Sequence, residues 1–122
     1  MSNVVTPAQV EKRLYDLSKE LDEVQKDLID AEDVYFHTKA QYEYELANTR
    51  LTYASKSAPN GKNYTIQERD DLAIVQNKDL HFKMAAAEAV VRATRSRAAT
   101  IARQVDIARS IGTSVRAAVD IA

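Results

Sequence analysis

The sequence predicts an all-α fold: a long antiparallel two-helix coiled-coil hairpin with a short C-terminal helix, assembled into a homo-oligomer. Three observations point there. Two glycines and two prolines in 122 residues are too few for a chain with many turns. Residues able to bury apolar surface recur at alternating spacings of four and three from Val10 to Tyr42. One strong break, residues 57–64, separates two long segments that lack both Gly and Pro. The chain is therefore expected to be a single helical-hairpin domain over 1–122.

The first helix is expected over about 7–56. Thr6 can cap it, Pro7 suits the first helical position, and Gln9 can complete a capping box. Its seam is Val10, Leu14, Leu17, Leu21, Val24, Leu28, Ala31, Tyr35, Thr38 and Tyr42. The turn is SAPNGKNY, 57–64: Pro59 disfavours helix at Ala58, and Asn60-Gly61 is a turn pair. Thr65 then caps a second helix, expected over about 66–111, with Glu68 closing its capping box. Its seam is less regular. Leu72, Val75, Phe82, Ala86, Ala89 and Ala93 are taken to start it, and Ile101, Val105, Ala108, Val115 and Val119 to continue it. Gly112 is expected to end or bend this helix. Thr113 or Ser114 would cap a short last helix over about 114–121.

Helices of about 45–50 residues would each extend about 70 Å, and so short a turn can only fold them back. Facing partners then have numbers summing to about 121. A two-helix hairpin leaves apolar surface wet. Ile29, Phe36, Tyr44 and Leu51 form a row outside the first seam and are the expected oligomer interface.

No motif for catalysis stands up, and no enzyme activity is expected. There is no Gly-rich phosphate loop, and the carboxylates of the first helix have no water-excluded pocket in which to act. Without cysteine, thiolate metal sites and disulfides are excluded. His37 and His81 should lie within about one turn of each other, with Glu43 or Asp79 as the only further ligands to suggest. The reading is two surface or seam histidines, no metal and no cofactor. No apolar run approaches the roughly 20 residues of a membrane span. The N-terminus lacks the pattern of a secretory signal, so no membrane association and a cytoplasmic location are expected, that of a bacterial host if the chain is phage-encoded.

Charge is the informative feature. Residues 1–60 hold 7 basic and 11 acidic residues, or −4; residues 61–122 hold 10 and 7, or +3. Arg92, Arg95 and Arg103 fall within an arc of about 80° on a helix, while Arg97 points elsewhere. These arginines either contact nucleic acid or neutralise the acidic first helix, facing residues such as Glu20 and Asp27. A second basic group near the turn comprises Arg50, Lys56, Lys62 and Arg69, with Tyr53 and Tyr64 interleaved. Cations for phosphates beside aromatic faces for bases suit a single strand held without sequence preference. A solvated loop with lysines at a helix end is the plain alternative.

Arg50-Leu51-Thr52-Tyr53 before a short polar loop, and Arg95-Ser96-Arg97-Ala98-Ala99-Thr100-Ile101 late in the second helix, together resemble the UvsY-like recombination mediator family of bacteriophages. That family has a Lys-x-Arg-Leu-x-Tyr segment implicated in single-stranded DNA binding and a Lys-Ser-Arg-x-x-x-Ile stretch. The likeness covers roughly residues 35–110, and the family's lysine falls at Asn48 here. It implies a ring-shaped homo-oligomer that binds single-stranded DNA. It further implies partners: a RecA-like recombinase, and a single-strand-binding protein to be displaced. DNA contacts are accordingly expected at Arg50, Tyr53, Lys56, Lys62, Arg92, Arg95 and Arg103. Two other functions fit the same pattern: a coiled-coil structural or scaffold-like phage assembly protein, and an adaptor or inhibitor acting through its acidic first helix.

Overall fold

The computed structural model describes residues 4–121. They form three helices: α1 (Pro7–Ala54), α2 (Ile66–Gln76) and α3 (Lys78–Ile121). The chain divides into two compact units. One comprises residues up to Ile29 together with those from Arg92 onward; the other is Asp30–Val91.

Both expected capping boxes form. The Gln9 amide N–H donates to Thr6 Oγ1 at 3.2 Å and the Thr6 N–H to Gln9 Oε1 at 2.9 Å. Glu68 N–H donates to Thr65 Oγ1, and Thr65 N–H to Glu68 Oε1, both at 3.1 Å. Each box satisfies two donors that a helix start leaves without intrahelical partners. Between α1 and α2, Gly61 takes φ +77°, a conformation glycine adopts without steric cost. The Asn60 side chain accepts from Lys62 N–H at 3.0 Å, and Ala58 N–H donates to Lys62 O at 2.8 Å. This closes the turn over a buried Ala58.

In the first unit, α1 and α3 run antiparallel. Gly112 approaches Val10, and Asp27 meets Arg97, so both pairs sum to near the expected 121. The core is Leu17, Val24, Ile101, Val105 and Ala108, with Leu14, Leu21 and Ala98 packed on it. In the second unit the same relation holds for Tyr42 with His81, Glu45 with Asn77 and Arg50 with Asp70. Thr38, Tyr42, Ala58, Ala73 and Val91 are buried there. All ten residues of the expected α1 seam are buried or half-buried.

The second seam differs from expectation. Val75 (65% exposed), Phe82 (64%) and Val119 (57%) face outward, as do Ala86, Ala89 and Ala93. Leu72, Ile101, Val105, Ala108 and Val115 are covered as expected, the last four within a row that runs Asn77, Leu80, Met84, Ala87, Val91, Thr94, Ala98, Ile101, Val105, Ala108, Gly112 and Val115. Its spacing alternates between three and four as regularly as that of α1. Small and polar residues occupy much of it because large side chains of α1, such as Leu14, Leu17, Leu21 and Tyr42, already fill the space between the helices. Thr38 stays satisfied in its seam by donating to Val34 O at 2.8 Å. Among the described residues no buried side-chain polar atom lacks a partner.

Two helix boundaries are also corrected. The expected single helix over 66–111 is interrupted at Asn77, whose backbone (φ −107°, ψ 25°) leaves the helical range. Its side-chain amide donates to Ala73 O at 2.8 Å and to Thr49 Oγ1 of α1 at 2.9 Å. Its side chain thus competes with the helix ladder for a carbonyl. At the other end there is no separate helix over 114–121, because α3 continues to Ile121. Thr113 does not cap; its hydroxyl donates back to Arg109 O at 3.1 Å. Gly112 serves packing rather than termination. A Cβ at that position would lie 2.9 Å from Val10 Cγ1, closer than such atoms approach.

Gly112→Ala is therefore expected to destabilise the protein. Overpacking costs about 1–3 kcal/mol, and the gain in helix propensity of about 1 kcal/mol offsets only part of it. Thermal melting followed by circular dichroism checks this. A raised midpoint would show that the first turn of α1 yields without loss.

Candidate nucleic-acid interface

The turn end of the second unit brings the expected basic group together. The last turns of α1 carry Arg50 and Tyr53, with Lys56 just beyond; the loop carries Lys62 and Tyr64; the first turn of α2 carries Arg69. The Tyr53 and Tyr64 rings meet edge to face, with centroids 5.1 Å apart. Lys56 Nζ lies 5.4 Å from the Tyr53 ring centroid, within cation–π range. Arg69 Nε donates to Thr65 O at 3.5 Å, holding the guanidinium near the start of α2.

Two members of the group have partners that the sequence motifs did not indicate. Arg50 Nε donates to Asp70 Oδ1 at 2.9 Å, tying α1 to α2. The Tyr53 hydroxyl accepts from Gln76 Nε2. The pairing rule for the hairpin places Arg50 opposite about residue 71, so Asp70 was within reach of the sequence. The Gln76 contact had no comparable signal. Around the turn, residues 50–71 hold four basic and three acidic residues, a net +1. The local positive charge is modest, and Lys56 and Lys62 are among its exposed carriers.

The other expected contacts, Arg92, Arg95 and Arg103, lie in the first unit and are all exposed on α3. Because α3 is continuous there, their narrow arc is preserved. Arg97 points to another side and reaches Asp27 at 4.0 Å, with both side chains about three-fifths exposed (63% and 60%). So exposed a pair contributes only about 0–1 kcal/mol. Arg109 pairs along its own helix with Asp106 at 3.9 Å.

The expected interface row is exposed throughout: Ile29 66%, Phe36 56%, Tyr44 69% and Leu51 71%. His81 packs its ring on Tyr42 and Phe82, at centroid distances of 5.5 and 5.9 Å. Among the described residues no three His, Cys, Asp or Glu side chains are grouped as a metal site requires, and no helix is long and apolar enough to cross a membrane. Compared with known proteins, the chain matches no family profile, no curated protein and no solved structure.

Proposed function

We propose that the protein is a single-stranded-DNA-binding recombination mediator that works as a homo-oligomer and helps load a RecA-like recombinase in place of a single-strand-binding protein. The observation that carries the DNA-binding part is the turn group. Two tyrosine rings in contact, with Lys56 against one of them, stand beside Lys62 and Arg69. Tyrosine faces accept bases of any sequence, and the cations accept phosphates. A net charge near neutrality per subunit is compatible with binding when several copies present the same patch to one strand. The recombinase and the displaced protein enter through the family resemblance of the Arg50–Tyr53 and Arg95–Ile101 segments.

The test is a titration of fluorescently labelled single-stranded DNA at several salt concentrations. Binding is expected to be independent of sequence and to weaken with salt. The logarithmic slope should be about −0.7 per neutralised phosphate. Duplex DNA should bind less well, because Tyr53 and Tyr64 can stack only on unpaired bases. Absence of binding at low salt would reject the mediator reading and leave a coiled-coil assembly protein as the better account.

The homo-oligomer part is supported by the exposed row Ile29, Phe36, Tyr44 and Leu51. Phe36→Glu combined with Tyr44→Glu should lower the assembly state seen by light scattering, because a charge buried without a partner is costly. An unchanged state would place that row in solvent.

A further inference from the structure

Within the first unit, charge is distributed unevenly between its two sides. On α1, Asp16, Glu20, Glu23 and Asp27 each directly precede a seam residue (Leu17, Leu21, Val24 and Leu28), so they share one flank. On α3, Arg92, Arg95, Arg109 and Arg116 each directly follow a covered residue (Val91, Thr94, Ala108 and Val115). A step of one residue turns a helix by 100°, so preceding and following residues lie on opposite flanks.

Arg97 and Asp27 relate these flanks to each other. Arg97 precedes Ala98, Asp27 precedes Leu28, and the two meet at 4.0 Å. Preceding residues of both helices therefore share one side of the unit. The arginines that follow the seam of α3 stand on the other side, away from the acidic stripe. All eight stripe residues are exposed.

Neighbouring charges reduce the contrast without erasing it. The acidic side also carries Arg13 and Arg97, giving two basic against four acidic residues, or −2. The arginine side also carries Glu11, Asp22 and Asp106, giving four basic against three acidic, or +1. Ala99 and Ala102 lie between the arginines and let another helix come close.

We infer that copies of this chain join through the first unit, the acidic side of one against the arginine side of the next. The inference rests on the homo-oligomer reading above and gives it a second, charged contact; of the apolar row, Ile29 follows Leu28 and so borders the arginine side. Because the two surfaces differ, the contact is heterologous and repeats from copy to copy, closing into a ring if the rotation allows. Arg92 and Arg95 then serve chiefly the subunit contact. Arg103, turned further outward, is left toward solvent.

Two charge-reversal variants test this. One carries Asp16→Lys, Glu20→Lys and Glu23→Lys; the other carries Arg95→Glu, Arg109→Glu and Arg116→Glu. Each alone presents like charges on both contact surfaces and should sediment as a smaller species than the wild type at low salt. Mixed in equal amounts, each supplies the charge that the other lacks, and the wild-type size should return. Either variant keeping full assembly alone, or a mixture that stays dissociated, overturns the inference. A wild-type protein that sediments as a monomer overturns the homo-oligomer reading itself. Circular dichroism checks that both variants remain helical. Should either lose helix, the neutral set Asp16→Asn, Glu20→Gln and Glu23→Gln takes its place; it should also reduce assembly at low salt, and full assembly by that set would overturn the inference.

Discussion

Leu17→Ala is expected to lower stability by about 2–5 kcal/mol, the range for removing a buried leucine side chain with partial collapse of the space left behind. Leu17 is 1% exposed and sits in the small cluster with Val24, Ile101, Val105 and Ala108. Few other residues are as completely covered, so little surrounding mass can shift inward to fill the gap. Total stabilities of about 5–15 kcal/mol make this loss a large share. Urea denaturation monitored by circular dichroism measures it. Val119→Ala is the comparison. Val119 was expected to continue the second seam but is 57% exposed, so its truncation should change stability by no more than about 0.5 kcal/mol. Equal losses at the two positions would mean that the seam reaches Val119 after all.

Replacing Arg50, Lys56 and Lys62 together by Ala should weaken single-stranded DNA binding by about tenfold or more and make its salt slope shallower by about 0.7 for each phosphate no longer neutralised. Arg92, Arg95 and Arg103 changed together to Ala should have the smaller effect on binding measured per assembled protein. The ion pair of Arg50 adds a diagnostic step. In Arg50→Ala, Asp70 loses the guanidinium that lies 2.9 Å away and stands as an uncompensated carboxylate beside the turn group. Part of any loss is then repulsion of phosphate. Adding Asp70→Asn to Arg50→Ala should recover that part, and no recovery would assign the whole effect to a direct Arg50 contact. Undiminished binding by the turn-group triple variant would move the DNA contact away from the turn.

Much of the helix pattern was legible from local chemistry. The two capping boxes depend on residues three apart, Thr6 with Gln9 and Thr65 with Glu68, so their geometry is set within one turn. The turn is equally local, because Asn60 and Gly61 supply both the side-chain acceptor and the positive φ. The seam of α1 was readable because leucine, valine and tyrosine mark nearly every covered position. The pairing constant of about 121 then followed from the two segment lengths and one turn, and it holds from Val10–Gly112 in the first unit to Arg50–Asp70 in the second.

The second seam was legible only in its later part. Hydrophobicity identifies a covered face when the large residues lie on it, and along much of the second segment they do not. Phe82 and Val75 are outside, while Asn77, Thr94 and Gly112 are covered. What covers these small and polar positions is the bulk of α1, a property of the pair that neither segment carries alone. The same holds for the candidate site. The sequence placed Arg50 and Tyr53 near Lys56 and Lys62 because all four lie within thirteen consecutive residues. The pairing rule also put Asp70 within reach of Arg50, but no local pattern signalled that Gln76 holds Tyr53.

Local chemistry in the sequence set where α1 and α2 start, where the chain turns and which stripe of α1 is covered, because caps, turns and large apolar side chains act over a few residues. The earlier part of the second seam, the interruption at Asn77, the packing rather than terminating role of Gly112, and the side of the first unit on which each charge stands came from the tertiary structure alone. Those outcomes depend on how the surface of one helix meets another across the seam, and residues far apart in the chain set that meeting together.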